Sequence, residues 1–152
     1  MNKLAQWIYA YKVCRKYKLK LIPSLNRDFG EYDFIERQIR VDFFSKKFLT
    51  ILMHEVGHHV HDRRVKYVNF FNTQRLKEEF SHDGRDVISV LESESFASRF
   101  SRKTGHGDKV FLSKAFTTYC SAYLKPNAVL CRYGLYESIL DKVVECIRKI
   151  ER

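Results

Sequence analysis

The sequence predicts an α+β fold that is mainly helical, with a small antiparallel β-sheet in its first third. Apolar residues recur at helical spacing in the first 17 residues and through most of the chain after residue 45. Between these regions, two short stretches alternate apolar and polar residues, as strands with one buried face do. The chain has 152 residues, 45% of them hydrophobic, which is enough for one domain with its own core. We therefore assign residues 1–152 to a single domain.

The first part of the chain is predicted to form one helix and three strands. Helical spacing of apolar residues places the helix from about Asn2 to Tyr17. Pro23 follows a short apolar stretch, which we interpret as an edge strand because proline is tolerated there. Alternating residues then predict an antiparallel hairpin with strands over residues 31–34 and 38–43.

Helices account for most of the remaining chain. Ser45 is the expected N-cap of a helix that extends to about Arg63. Residues 64–84 lack clear periodicity, so they predict either a lid or ordinary packing under a loop, with a short helix over residues 74–80. The later helices are predicted over residues 85–103, over residues 108–124, and from about Leu130 to the C-terminus.

The second predicted helix contains an H-E-x-x-H motif that begins at His54 and ends at His58. These two histidines are one turn apart on the same helical face, so both imidazoles can reach one zinc ion. Glu55 lies beside them and is placed to take a proton from a water molecule that the metal activates. The motif also lies in an amphipathic context, because apolar residues recur around it at helical spacing. The sequence therefore predicts a zinc hydrolase.

Other residues of this helix carry weaker predictions. Gly57 costs about 1 kcal/mol relative to alanine within a helix, so another backbone, which we expect to be a strand, should approach closely there. His59 is expected to face solvent. His61 lies near the ligand face and is interpreted either as a residue that supports the ligands or as an incidental polar residue.

A catalytic zinc usually has three protein ligands and one open position, so a third ligand is needed. Glu94 is our prediction, with Glu92 as the alternative. Glu94 should point inward, where a bare carboxylate is costly unless it is paired or binds a metal. A buried salt bridge to an arginine or lysine is the structural alternative for Glu94. Glu92 lies nearly opposite, on a face with Ser95 and Arg99 that we expect to be solvated. The face of Glu94 is shared with the apolar residues Val87, Val90, Leu91 and Ala97.

Two segments resemble known metallopeptidases. The H-E-x-G-H-H core over residues 54–59 resembles that of gluzincin metallopeptidases. The segment E-S-F-A-S-R-F over residues 94–100 is similar to the E-x-x-A-[N/D]-x-F segment of the ImmA/IrrE family and, more distantly, to one in HtpX-type peptidases. The resemblance covers about residues 30–104. It implies a zincin-like fold in which the strand over residues 38–42 borders the cleft and pairs with an extended substrate.

The chain also departs from these families. Ser98 stands where they usually have asparagine or aspartate, and the L-L-x-P-like ending of the ImmA/IrrE segment is absent. Membrane helices of the HtpX type are missing as well. The zincin fold is therefore better supported than any named subfamily, and the substrates of these families are not carried over.

Together these observations predict a zinc-dependent metallopeptidase that cleaves a protein or peptide substrate. Zn²⁺ would be held by His54, His58 and Glu94, and Glu55 would act as the catalytic base and later protonate the leaving amine. A further donor usually stabilises the oxyanion. The sequence leaves several candidates for this role: Tyr119, Tyr133, Tyr136, His82 and His106.

Two other classes of function remain open. The chain could be a regulatory or binding module that keeps the zincin fold without turnover, and a fourth zinc ligand such as His61 or Cys120 would favour this class. It could also be a basic protein associated with nucleic acid, because its net charge is +10. The basic residues are spread along the chain without interleaved aromatic residues, which favours a solvated basic surface over a nucleic-acid interface.

Cysteine usage and hydropathy predict a cytoplasmic protein. The four cysteines form no C-x-x-C pair and are expected to be buried free thiols: Cys14, Cys120, Cys131 and Cys146. No segment reaches the roughly 18 apolar residues of a membrane span. Lys3, Gln6 and Lys12 interrupt the apolar stretch at the N-terminus, which is not typical of a signal peptide.

Overall fold

A computed structural model describes residues 1–65, 84–124 and 136–152. Several predictions fall outside these ranges. They concern most of the segment over residues 64–84, interpreted as a lid or as packing under a loop, its short helix, the residue Cys131 and the start of the last helix. The described elements are α1 (Lys3–Tyr17), β1 (Lys20–Ser24), β2 (Gly30–Asp33), β3 (Gln38–Asp42), α2 (Phe48–Arg64), α3 (Gly84–Lys103), α4 (Lys109–Leu124) and α5 (Tyr136–Glu151). The predicted α+β class, mainly helical with a small sheet, is confirmed.

The helix α1 begins and ends where its sequence predicts. The side chain of Asn2 caps it by accepting a hydrogen bond of 2.8 Å from the backbone N–H of Ala5. Lys18 ends the helix in the left-handed conformation, and its N–H bonds the carbonyls of the last turn. Ala10 and Cys14 on the inner face are buried against the sheet and α2.

The three strands form a mixed sheet in the order β1-β3-β2, so the prediction of an antiparallel sheet is wrong in part. The β2–β3 hairpin is antiparallel as predicted, with Tyr32 opposite Ile39. β1 instead pairs in parallel with β3, with Leu21 opposite Ile39. The chain reverses direction twice between these two strands, so β1 and β3 run the same way and β3 takes the centre. The predicted edge position of β1 is confirmed.

The turn before α2 differs from its prediction. Ser45 is not the N-cap, because the helix begins three residues later and Lys47 occupies the capping position. Ser45 organises the preceding turn instead. Its hydroxyl oxygen accepts the backbone N–H of Lys47 at 2.9 Å, and its carbonyl accepts that of Phe48 at 3.3 Å.

Two apolar cores lie on either side of the contact between α2 and α3. The first is formed by α1, the sheet and α2, and the second by α3, α4 and α5. Cys14, Cys120 and Cys146 are buried free thiols, as predicted, and burial raises the pKa of Cys14 to about 11. Among the described residues, no helix combines the length and apolar character needed to cross a membrane.

Candidate metal centre

The helices α2 and α3 bring His54, His58 and Glu94 together. The Nε2 atom of His54 lies 3.2 Å from one carboxylate oxygen of Glu94, and the Nε2 atom of His58 lies 3.4 Å from the other. The two Nε2 atoms are 3.0 Å apart. The three side chains offer ligand atoms that all lie within 4.8 Å of one another, a spacing compatible with a shared metal ion. Two imidazole nitrogens and one carboxylate oxygen are a donor set of catalytic zinc sites.

Glu92 lies away from this cluster. Its side chain is half exposed and forms an ion pair of 2.7 Å with Lys142 on α5. The two candidate glutamates therefore point to different neighbours, and only Glu94 reaches the histidines. Ser95 was predicted on the solvated face with Glu92, but it is buried because α3 packs against α5 as well as α2.

Each histidine is also held at its second ring nitrogen by a serine of α3. The Nδ1 atom of His54 lies 3.3 Å from the hydroxyl of Ser98, and that of His58 lies 3.1 Å from the hydroxyl of Ser93. Both serines are buried. These hydrogen bonds turn both Nε2 atoms towards Glu94. In the sequence, Ser98 stands out only as a departure from the families that the motifs resemble, and Ser93 carries no prediction. The short polar residues that flank Glu94 are the signal that could have indicated both.

The electrostatics of the cluster keep Glu94 charged. Burial lowers the pKa of His58, but the adjoining Glu94 carboxylate outweighs burial and raises this pKa to about 9. Burial likewise raises the pKa of Glu94, and the two histidines outweigh it, so the pKa of Glu94 falls well below its ordinary value. Among the described residues, Glu94 thus pairs with the two histidines and not with an arginine or lysine, which was the structural alternative.

Glu55 lies beneath strand β2, beside the cluster. Burial raises the pKa of Glu55 above its ordinary value, while His54, His58 and a hydrogen bond from the backbone N–H of Tyr32 act in the opposite direction. The strand passes very close, because a Cβ atom at Gly30 would lie 2.7 Å from a carboxylate oxygen of Glu55. A larger residue at position 30 would force the side chains of Ile51 and Glu55 to shift, so glycine lets β2 lie over this carboxylate without displacing it.

Gly57 allows the close contact between α2 and α3 that brings the cluster together. A Cβ atom there would lie 2.7 Å from the Cα atom of Ala97 and 3.0 Å from its carbonyl oxygen. The predicted approach of another backbone is confirmed, but the approaching element is the helix α3 and not a strand.

The other two histidines of α2 lie outside the cluster. The prediction that His59 faces solvent is wrong, because β2 covers that side of the helix. His59 is 5% exposed, and its Nδ1 atom lies 3.0 Å from the hydroxyl of Tyr32. The ring of His61 packs against Phe96, with ring centroids 4.8 Å apart.

The predicted oxyanion donors are only partly described. Tyr133, His82 and the side chain of Tyr136 lie outside the described part of the chain. The ring of His106 packs against Tyr9, with ring centroids 4.9 Å apart. Tyr119 is half-buried on α4. We therefore assign this role to none of them.

Comparison with known proteins adds no relative. No protein-family model, curated protein or solved structure matches the chain. The resemblance to the ImmA/IrrE family therefore stays a prediction from two short motifs. The geometry of the cluster and of Glu55 is the basis for inferring a function.

Proposed function

We propose that the protein is a zinc-dependent metallopeptidase that hydrolyses peptide bonds of a protein substrate. The observation that carries this proposal is the convergence of His54, His58 and Glu94 beside the buried Glu55. The two Nε2 atoms and the Glu94 carboxylate would hold Zn²⁺, with one position left for the reaction. When bound there, the metal supplies Lewis acidity to water and to the scissile carbonyl group.

Glu55 acts as general base and then as general acid in this proposal. Its carboxylate accepts the proton of the attacking water and afterwards delivers it to the leaving amine. Burial raises the pKa of Glu55 above its ordinary value, which makes its carboxylate a stronger base for the proton of water. The backbone N–H of Tyr32 holds the carboxylate in place.

Strand β2 is the proposed binding site for an extended substrate. The resemblance to zincins assigned this role to residues 38–42, but these residues form β3, which is central and paired on both sides. β2 is an edge strand, and the N–H of Tyr32 points from it towards Glu55. A peptide that adds a strand along this edge would run beside the candidate catalytic carboxylate.

The number of potential ligands among the described residues matches that of a catalytic zinc site. In the described part of the chain, the group of potential ligands consists of three residues, and neither His61 nor Cys120 belongs to it. Structural zinc sites are closed by four protein ligands, whereas catalytic sites keep one position open.

The substitution Glu55→Gln tests the proposal directly. We expect the variant to bind about one zinc per chain, measured by elemental analysis, because Glu55 is not among the three ligands. Cleavage of a fluorescently labelled unstructured protein should fall by roughly 10²- to 10⁴-fold, since the general base is lost. A variant that cleaves at the wild-type rate would show the mechanism to be wrong.

Two glutamates of α3 provide a matched pair for the metal. Glu94→Gln removes the proposed ligand, and Glu92→Gln removes an equal charge from a residue that pairs with Lys142. We expect zinc content and cleavage to be lost in the first variant and retained in the second. Purified wild-type protein that takes up no zinc, or a His54→Ala variant that keeps full activity, would refute the proposal.

A further inference from the structure

A groove whose described lining residues are all cationic lies between the C-terminal ends of α3 and α5. Its volume is about 500 Å³. The helices α3 and α5 pack along each other, which brings residues from the last turns of both to one opening. The residues that line the groove are Arg99, Arg102, Lys103, Lys149 and Arg152.

Two of these five cations have side-chain hydrogen bonds or ion pairs with other described residues. Arg102 donates a hydrogen bond to the carbonyl of Ile150 and so ties α3 to α5. Lys149 pairs with Glu145 one turn earlier on its own helix. Among the described side chains, no carboxylate forms an ion pair with any of the remaining three: Arg99, Lys103 and Arg152.

The ends of the two helices explain why the fold tolerates this concentration of like charge. Unpaired carbonyl groups at a helix C-terminus carry partial negative charge, which stabilises nearby cations. That interaction does not use up the donors, because an arginine still presents its planar fork of N–H groups. The groove is thus arranged to accept an anion from outside.

We propose that this groove binds the phosphate backbone of double-stranded nucleic acid. Guanidinium groups bind phosphate oxygens in pairs, and Arg99 and Arg152 offer two such groups on opposite walls. None of the described residues that line the groove is aromatic, so they offer no surface on which an unpaired base could stack. The groove therefore fits the regularly spaced phosphates of a duplex backbone better than exposed bases. The net charge of +10 also favours the approach of the protein to a polyanion.

The proposal is independent of the metallopeptidase proposal. None of the five lining residues belongs to the metal cluster, and none contacts Glu55. Duplex binding is therefore expected to persist in the Glu55→Gln variant and after the metal is removed by a chelator.

The test is fluorescence anisotropy with a labelled duplex of about 25 base pairs and mixed sequence, titrated at several salt concentrations. We expect a Kd near 10⁻⁵ M at physiological salt for the wild type, as for sequence-independent binding. The triple variant R99Q/K103Q/R152Q should bind at least about tenfold more weakly. The slope of log Kd against log salt should fall by roughly 3, since each phosphate contact contributes about 0.9.

A second triple variant controls for the loss of charge alone. K12Q/R15Q/K16Q removes the same three charges from exposed positions on α1, and its Kd should stay within about threefold of the wild type. The charge-conserving variant R99K/R152K should bind more weakly than the wild type but more tightly than R99Q/K103Q/R152Q, because lysine keeps the positive charge and lacks the paired N–H donors. Equal losses in both triple variants, or no binding by the wild type, would overturn the proposal. The proposal would also be overturned if the variant R99Q/K103Q/R152Q still bound the duplex but no longer bound vesicles of phosphatidylglycerol and phosphatidylcholine.

Discussion

At the scale of single residues, the candidate metal centre is organised by hydrogen bonds to both nitrogens of each histidine. The Nε2 atoms meet Glu94, and the Nδ1 atoms meet the hydroxyls of Ser93 and Ser98. When Nε2 binds a metal, the neutral ring carries its proton on Nδ1 and donates it to the serine. The hydroxyl of Ser98 thus fixes the orientation of the His54 ring.

Removing this hydroxyl should weaken metal binding without removing a ligand. We expect Ser98→Ala to raise the Kd for zinc by about tenfold or more, because His54 loses the bond that fixes its tautomer and orientation. Competition with a chromophoric chelator measures the Kd, and the visible spectrum of the Co²⁺ form reports the ligand geometry. Ser98→Asn should restore much of the affinity. A Ser98→Ala variant with unchanged zinc affinity would show that the contact of 3.3 Å does not position the ring.

Single residues also show which parts of the site are predictable from sequence. The spacing of His54 and His58 follows from the period of one helix, and the inward direction of Glu94 follows from the apolar residues beside it. The burial of His59 does not follow, because it depends on β2 crossing that side of α2. Periodicity describes the faces of a helix but not which neighbour covers each face.

At the scale of elements, the contact between α2 and α3 sets the distance from the two histidines to Glu94. Gly57 and Ala97 lie at the closest point of this contact, one residue before His58 and three residues after Glu94. Small residues at a crossing let two helices approach until their backbones touch. The same approach brings the hydroxyls of Ser93 and Ser98 within reach of the rings.

The substitution Gly57→Ala should therefore destabilise the protein, although alanine is the better helix former by about 1 kcal/mol. The added methyl group would lie 2.7 Å from the Cα atom of Ala97, and backbone atoms on both sides cannot yield without moving the helices apart. We expect a loss of about 1–3 kcal/mol in the free energy of unfolding, measured by urea denaturation, together with weaker zinc binding. Lys114→Ala at an exposed position of α4 is the control and should change stability by less than about 0.5 kcal/mol. An unchanged or increased stability of Gly57→Ala would contradict this close packing.

The elements themselves were largely predictable, whereas their arrangement was not. The bounds of α1, α3 and α4 agree with the sequence patterns to within one residue, since caps and periodicity are local properties. The insertion of β3 between β1 and β2 is a pairing of residues far apart in the chain, and alternation alone does not specify it.

At the scale of the whole molecule, the cluster of His54, His58 and Glu94 lies at the junction of two separate cores. α2 belongs to the core with α1 and the sheet, and α3 belongs to the core with α4 and α5. The basic groove is likewise a product of tertiary structure, because Arg99 and Arg152 are far apart in sequence. Because basic residues are spread evenly along the chain, the sequence alone does not indicate this groove.

A metal ion that joins two cores should stabilise the whole fold, because His54 and His58 come from one side of the junction and Glu94 from the other. Zinc at 100 times its Kd adds about 2.7 kcal/mol if it binds only the folded state. For a chain of this size, that corresponds to a rise in Tm of roughly 5–10 °C, which differential scanning calorimetry can measure. His58→Ala should abolish the rise, whereas Glu55→Gln should retain it, so the shift reports metal binding separately from catalysis. Wild-type protein whose Tm does not respond to zinc or to a chelator would show that the three side chains do not form a metal site.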